Sequence, residues 1–325
     1  VIVINNYRRN DWKPYVFKTN NYGKSWKSIA NEEDVWGHAL SFVQDPIEPN
    51  LQFLGTEYGL YVTLDNAKTW TKWTSGYPTV STMDLKIHPR EHDLVIGTFG
   101  RAAYILDDIR PLREMASTKK DLMKKRLHFF EPPTAVMAIN RQASGTRFEA
   151  NAIFAGKNRG RGAMLTLVFN PDKKKKEKPK KDKGDKKGKP EDKKEKVTME
   201  VLDEDGKVIR TVKHNVEAGI NRVYWGLRRK GVRSPNAPKP TKPDAKEPGG
   251  PPVLPGEYTI RLSHGKDTTS QVVNVILDPR VGINTRNLER LQPIYERQME
   301  ITASVTKAMD RIRESKKIIE SVDKM

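Results

Sequence analysis

The sequence predicts an all-β chain that ends in a helix: the last part of a β-propeller, then an immunoglobulin-like β-sandwich, then an α-helix. Three observations predict this. Residues 1 to 113 break into short apolar strands separated by Gly, Pro, Asn and Asp clusters. The same stretch resembles itself at a spacing of 42 to 44 residues, from Gly55-Thr56 to Gly97-Thr98, from Asp65 to Asp107 and from Asn21 to Asp65. About four strands per such unit is the size of a propeller blade. Only after residue 285 does the apolar period lengthen from two residues to three and four.

The strands of the first region read VIVINN, YVFKT, SWKSI, ALSFV, LQFLGT, LYVTL, TWTKW, MDLKIH, LVIGT and AAYIL. They make two full units and part of a third. A propeller needs at least about four blades to close. The chain also opens inside a strand and without Met, so the expectation is the C-terminal part of a longer protein, with earlier blades as its first partner. The third unit keeps an acid at Asp107 but loses the residues after it. That reads as a last blade whose fourth strand comes from elsewhere.

Residues 114–160 carry Lys, Pro and Gly signals and read as an irregular connector. Residues 161–280 return to strands, including MLTLVFN, VTMEVLD, INRVYWGL, GEYTIRLS and SQVVNVIL, a sandwich pattern. Two insertions interrupt them, a Lys-rich run at 173–196 and a Pro-rich loop at 234–255. Residues 281–325 form the helical tail, capped by Asn284-Thr285. Its stripe of Leu288, Leu291, Ile294, Ile301, Val305, Ala308, Ile312, Ile319 and Val322 is expected to pack on the sandwich or on chain outside this sequence. Pro293 is expected to divide it into a short turn and a long helix.

The net charge is +19 in 325 residues, which raises a nucleic-acid reading. Its distribution argues otherwise. Residues 173–196 hold fourteen Lys and six acids, a net of +8. This run has no Arg, no aromatic and no aliphatic residue besides Pro, so it can bury nothing and is expected to be a disordered insertion. Readers of single strands interleave aromatics with their basic residues, and this run does not. Weak polyanion binding is the partner it implies. There is no Cys, which excludes disulfides and thiolate chemistry. Six His without paired spacing give no metal site, and no cofactor is implied. No apolar run reaches the ~18 residues of a membrane span.

Two eight-residue boxes share one pattern, TNNYGKSW at 19–26 and TLDNAKTW at 63–70. Thr19, Asn21, Gly23 and Trp26 match Thr63, Asp65, Ala67 and Trp70, with Ser25 matching Thr69. A tight turn explains each position. The Asp or Asn side chain accepts from N–H groups just ahead of it. Gly allows positive φ. The hydroxyls close local bonds, and Trp covers the turn with apolar surface. Ala67 departs from the Gly position, so the second turn is expected to be looser.

The boxes resemble the Asp-box of sialidase-like and sortilin-like propellers. That resemblance implies a structural role for these residues, in turns between the third and fourth strands of a blade, away from the ligand face. PYVFKTNNYGKSW, DPIEPNLQFLGTEYGLYVTLDNAKTW and MDLKIHPREHDLVIGTFGRAAYILDDIRPL together resemble bacterial BNR-repeat, sortilin-like "glycosyl hydrolase" proteins. GKVIRTVKHNVEAGINRVYWGLRRKG and LPGEYTIRL resemble the Ig-like domain of flagellar hook-cap proteins and secreted bacterial enzymes. The implied location is secreted or in the cell envelope, periplasmic or on the outer surface.

If the boxes mark one face, the loops at 7–13, 31–38, 56–59, 75–82 and 98–101 collect on the other. The candidate ligand residues are Arg8, Arg9, Asp11, Trp12, Trp36, His38, Glu57, Tyr58 and Arg101. Arg would clamp an anion, Trp would stack on a sugar, and Glu57 would act as acid or base. A purely structural reading pairs Glu57 with Arg101 and uses Trp36 as a plug. No complete catalytic set is visible, so whether the chain is an enzyme stays open. The first functional expectation is a propeller scaffold that binds protein segments or glycans; the alternative is a sialidase-like glycoside hydrolase with most of its site in missing blades.

Overall fold

A computed structural model of the chain describes residues 1–118, 121–138, 159–171, 195–241 and 245–323. The fold is all-β with a terminal helix, divided into two compact units, Val1–Leu122 and Met123–Met325. Most of the Lys-rich run lies outside the described residues. Its last two members do not: Glu195 and Lys196 open a strand.

The first unit holds three antiparallel meanders among the described residues. The first joins β1 (Ile2–Asn6), β2 (Asp11–Lys18) and β3 (Lys27–Ser28). The second joins β4 (Ala39–Gln44), β5 (Gln52–Thr56), β6 (Gly59–Thr63) and β7 (Thr71–Lys72). The third joins β8 (Thr82–Ile87), β9 (Leu94–Thr98) and β10 (Ala103–Leu106), and α1 (Arg110–Ser117) follows it. β4 packs beside both β1 and β8, so the sheets stack face to face with β4 in the middle.

Side chains alternate across a strand, and the middle sheet uses both faces. Phe53, Leu60 and Val62 enter one core with Leu85, Leu94 and Ile96 of the third sheet. Leu54 and Tyr61 enter another with Val16 and Trp70. Hence every residue of β5 and β6 is buried. In β9 only Leu94 and Ile96 are buried, while Val95 between them is exposed. Gly55 is in the sheet because a side chain has no room there: a Cβ would lie 2.6 Å from the Thr82 carbonyl oxygen.

Under this stack sits a buried ion pair that sequence reading did not anticipate. Arg113 of α1 donates from Nε to both Asp45 oxygens, at 3.0 and 2.9 Å, and its Nη1 lies 2.9 Å from His92 Nδ1. Asp45 Oδ1 also accepts from the N–H groups of Ile47 and Glu48. Such a pair holds only if its remaining hydrogen-bonding capacity is met, and here it is. Burial, then the charges of Arg113 and Arg110, push the His92 imidazole below its ordinary pKa.

The second unit is a sandwich. Its strands are β11 (Leu127–Phe129), β12 (Ala135–Met137), β13 (Ala163–Phe169), β14 (Glu195–Leu202), β15 (Val208–Val216), β16 (Gly219–Trp225), β17 (Arg228–Lys230), β18 (Gly249–Pro252), β19 (Gly256–His264) and β20 (Asp267–Leu277). One sheet runs β12-β20-β19-β14-β15 and the facing one β11-β13-β16. Met199, Val201, Ile260, Val273, Leu165, Leu167 and Trp225 fill the space between them. Two expectations need correction. The connector is not irregular throughout: β11 pairs with β13, and β12 joins β20 in parallel. The Pro-rich loop is not all loop, because β18 pairs with β17. Arg210 holds that loop by donating to the carbonyls of Glu247 and Pro248.

α2 (Thr285–Val322) is one continuous helix with Pro293 inside it, not a turn followed by a helix. Asn284 caps it by accepting from Arg286 N–H at 2.9 Å. It is tethered through a polar side. Thr306 Oγ1 donates to the Arg233 carbonyl at 2.8 Å, Asp310 pairs with Arg233, and Glu314 pairs with Lys239. The apolar stripe does not pack on the sandwich as expected; it is exposed.

Two outcomes follow from the packing of the first unit. Trp70 is 7% exposed and Trp26 is 45% exposed. Trp70→Ala is expected to lower unfolding free energy by about 3–5 kcal/mol, and Trp26→Ala by less than about 1 kcal/mol, measured by urea denaturation. For His92, a depressed folded-state pKa means that the unfolded chain binds the proton more readily. The stabilisation is full above the unfolded value of about 6.5 and is lost as pH falls through the folded value. Thermal melts across this window should show a pH slope that flattens in His92→Asn.

Candidate functional site

In a meander, successive turns alternate between the two ends of the sheet. The turns 19–26 and 63–70 follow β2 and β6 and share one end with the 45–51 and 88–93 connections. The turns 7–10, 56–59 and 99–102, with the approaches 31–38 and 78–81, share the opposite end.

The box end is made for rigidity. In the first box Thr19 Oγ1 donates to Asn21 Oδ1 at 3.0 Å and accepts from Gly23 N–H at 2.9 Å. Asn21 Oδ1 accepts from Ser25 N–H at 2.9 Å, and Asn21 Nδ2 donates to Ser25 Oγ at 2.8 Å. The second box repeats this: Thr63 Oγ1 donates to Asp65 Oδ1 at 2.7 Å and accepts from Ala67 N–H at 3.1 Å. Asp65 also accepts from the N–H groups of Lys68 and Thr69 and from the Thr69 hydroxyl. Burial opposes the charge on Asp65, but these donors outweigh it and hold its carboxyl below the usual range. Both boxes place two successive residues in the left-handed region, Tyr22 and Gly23 at φ 56° and 86°, and Asn66 and Ala67 both at φ 60°. The second turn is therefore not looser: Ala67 adopts the conformation that Gly23 adopts. Trp70 Nε1 donates to the Ile29 carbonyl at 2.7 Å and so ties the second sheet to the first.

The other end gathers aromatic and ionisable side chains. Tyr7 stacks on His38 with centroids 5.0 Å apart and planes at 25°. Trp12 lies 5.6 Å from the same imidazole and 6.2 Å from Tyr7. Arg8 sits 5.9 Å over the Tyr7 ring. Trp12 is held by its Nε1–H, which donates to Asn10 Oδ1 at 3.0 Å. His38 Nδ1 and Glu57 Oε2 are 3.3 Å apart. That is ion-pair distance, but the alignment is not that of a hydrogen bond, and both atoms are buried with no other partner. The two polar atoms touch without a hydrogen bond between them. A backbone bond from Glu57 N–H to the His38 carbonyl at 3.2 Å fixes the two loops together.

The remaining candidates divide. Asp11 is engaged within its own hairpin. It accepts from Tyr15 OH at 2.8 Å and Asn6 Nδ2 at 3.1 Å, and the Tyr15 bond is the first cause of its lowered pKa. Trp36 is exposed, so it plugs nothing in this unit; its backbone N–H donates to Tyr61 OH at 3.0 Å. Gly37, at φ 78°, lets Tyr58 lie across the loop, since a Cβ there would come within 2.6 Å of the Tyr58 ring. Arg9 and Arg101 are exposed. Glu57 faces His38, and no ion pair joins it to Arg101 among the described residues. Tyr7 was not singled out from sequence, although the alternation of aromatic and basic residues in YRRNDWK is the signal that marks it. Among the described residues no cluster of His, Asp and Glu can hold a metal ion, and no helix is long and apolar enough to cross a membrane.

No family model matches the chain, and no curated protein matches it. Among solved structures it is similar to the extracellular domain of a one component system from B. thetaiotaomicron, at 12% identity and a TM-score of 0.22. The match covers 82% of this chain and 28% of that one, so the chain spans about a quarter of the neighbour's length.

The left-handed conformation of Ala67 costs about 1–2 kcal/mol. Ala67→Gly should recover part of this against the added chain entropy, a net gain of about 0.5–1 kcal/mol in chemical denaturation. Gly23→Ala should lose a similar amount.

Proposed function

We propose that this chain is the C-terminal part of a secreted or cell-envelope propeller protein, and that it binds glycans or protein segments at the end of the sheets opposite the Asp-box turns. The observation that carries this reading is the cluster of Tyr7, Trp12, His38 and Glu57, with Arg8 at its rim. The exposed rings of Tyr7 and Trp12, tilted 38° to each other, offer apolar faces that suit a sugar or an aromatic side chain. The Glu57 side chain, 30% exposed, offers its carboxylate to a ligand hydroxyl, with His38 buried against it. Arg8 and Arg101 extend the site toward anionic groups.

The propeller part of the reading rests on exposed apolar surface. Met83, Val95 and Ile105 point away from the middle sheet, and Ile2 and Ile4 lie on the edge strand β1. Further blades of the same protein would cover both. The Lys-rich run adds weak attraction for polyanions. The contact between Glu57 and His38 favours one alternative, a glycoside hydrolase in which Glu57 supplies an acid or base; a second carboxylate would then come from another blade.

Titration with sialyllactose and with lactose, followed by tryptophan fluorescence and calorimetry, tests the proposal. Binding should weaken at least tenfold in Trp12→Ala, a loss of about 1.4 kcal/mol. Arg8→Ala should weaken only the anionic probe. Unchanged affinity in Trp12→Ala would sink the site. Turnover of either sugar that is abolished in Glu57→Gln would select the hydrolase.

A further inference from the structure

The stripe on α2 that fails to pack on the sandwich is a heptad seam. Leu291, Gln298, Val305, Ile312 and Ile319 repeat every seven residues, and Ile294, Ile301, Ala308, Ser315 and Val322 follow each by three. That is the a/d pattern of a coiled coil, sustained over about 48 Å of helix. It is uncovered: Ile294, Ile301, Ile312 and Ile319 are 60, 52, 61 and 60% exposed. The helix rests on its own unit through a neighbouring face, where Thr306 is buried and Asp310 pairs with Arg233. Docking therefore leaves the seam free.

We propose that α2 pairs with α2 of a second copy of this chain as an antiparallel coiled coil. The occupant and its direction come from the order of residues along the seam. With the two-fold axis between Thr306 and Lys307, residues equidistant from it meet. Leu291 then faces Val322 of the second copy, Ile294 faces Ile319, Ile301 faces Ile312, and Val305 faces Ala308. The two polar seam residues, Gln298 and Ser315, face each other, so each finds a hydrogen-bonding partner instead of an apolar one.

The flanking positions favour the same direction. In a parallel pair in register, Arg311 lies against Lys316 of the other helix on both sides, a repulsive arrangement. In the antiparallel pair the flanking neighbours are Tyr295 with Lys316, Ser304 with Arg311, Thr302 with Met309 and Arg297 with Ile318. None is a like-charge pair, and Tyr295 with Lys316 is an attractive one. An acidic partner helix would also suit the Arg residues at 290, 297 and 311. The matched polar pair within this chain favours self-association over it.

Light scattering after gel filtration of the full chain at micromolar concentration should give twice the 37.1 kDa of one copy. The double variant Ile301→Glu, Ile312→Glu should be monomeric, with an unchanged thermal melt of its β-structure. The chain has no Cys, so direction can be read by cross-linking. Ile294→Cys with Ile319→Cys in one chain should form a disulfide-linked dimer on mild oxidation, while Ile294→Cys alone should not. A monomer for the parent chain overturns the proposal, as does a dimer that survives the double Glu variant. Cross-linking of the single Ile294→Cys chain overturns the antiparallel direction and points to a parallel pair. Saturable binding of an acidic helical peptide by a monomeric parent would assign the seam to a different partner.

Discussion

Burial of the middle sheet on both faces organises the first unit. β5 and β6 place apolar side chains alternately up and down, and neither set can be left in water. Residues such as Phe53 and Leu54, adjacent in sequence, therefore need two different cores. The first and third sheets supply them. Once the three sheets stack in that order, their turns fall at two ends. The box turns and the buried pair of Asp45 with Arg113 lie at one end, and the aromatic cluster at the other.

The two ends differ in how their side chains are engaged. Within each box turn the Thr and Asp or Asn side chains find their partners within four residues. At the other end His38 and Glu57 are brought together by separate loops and stay unsatisfied. Polar groups that are buried without hydrogen bonds destabilise a fold.

The second unit shows the same division on a larger scale. The sandwich satisfies its apolar faces internally, with Trp225 and Met199 fully enclosed. α2 does not follow it. The helix takes its hold from ion pairs and one buried Thr, and keeps its apolar residues outside.

Most of the β-strands, their alternation, the box turns and the helix are legible in the sequence. Each of these depends on neighbours a few residues apart: the period of two, the spacing of three and four, and the Thr-x-Asp or Thr-x-Asn spacing that closes its own bonds. The sequence also marked Trp12, His38 and Glu57, because a meander assigns each loop to an end. The rest depends on contacts between residues far apart in the chain. Arg113 and Asp45 are 68 positions apart and carry no local pattern that joins them. Leu127–Phe129 and Ala135–Met137 become strands by pairing with β13 and β20, far along the chain. A periodic stripe shows that a helix has an apolar face, but not what lies against it. In α2, ionic contacts on another face set the orientation, and the stripe turned outward.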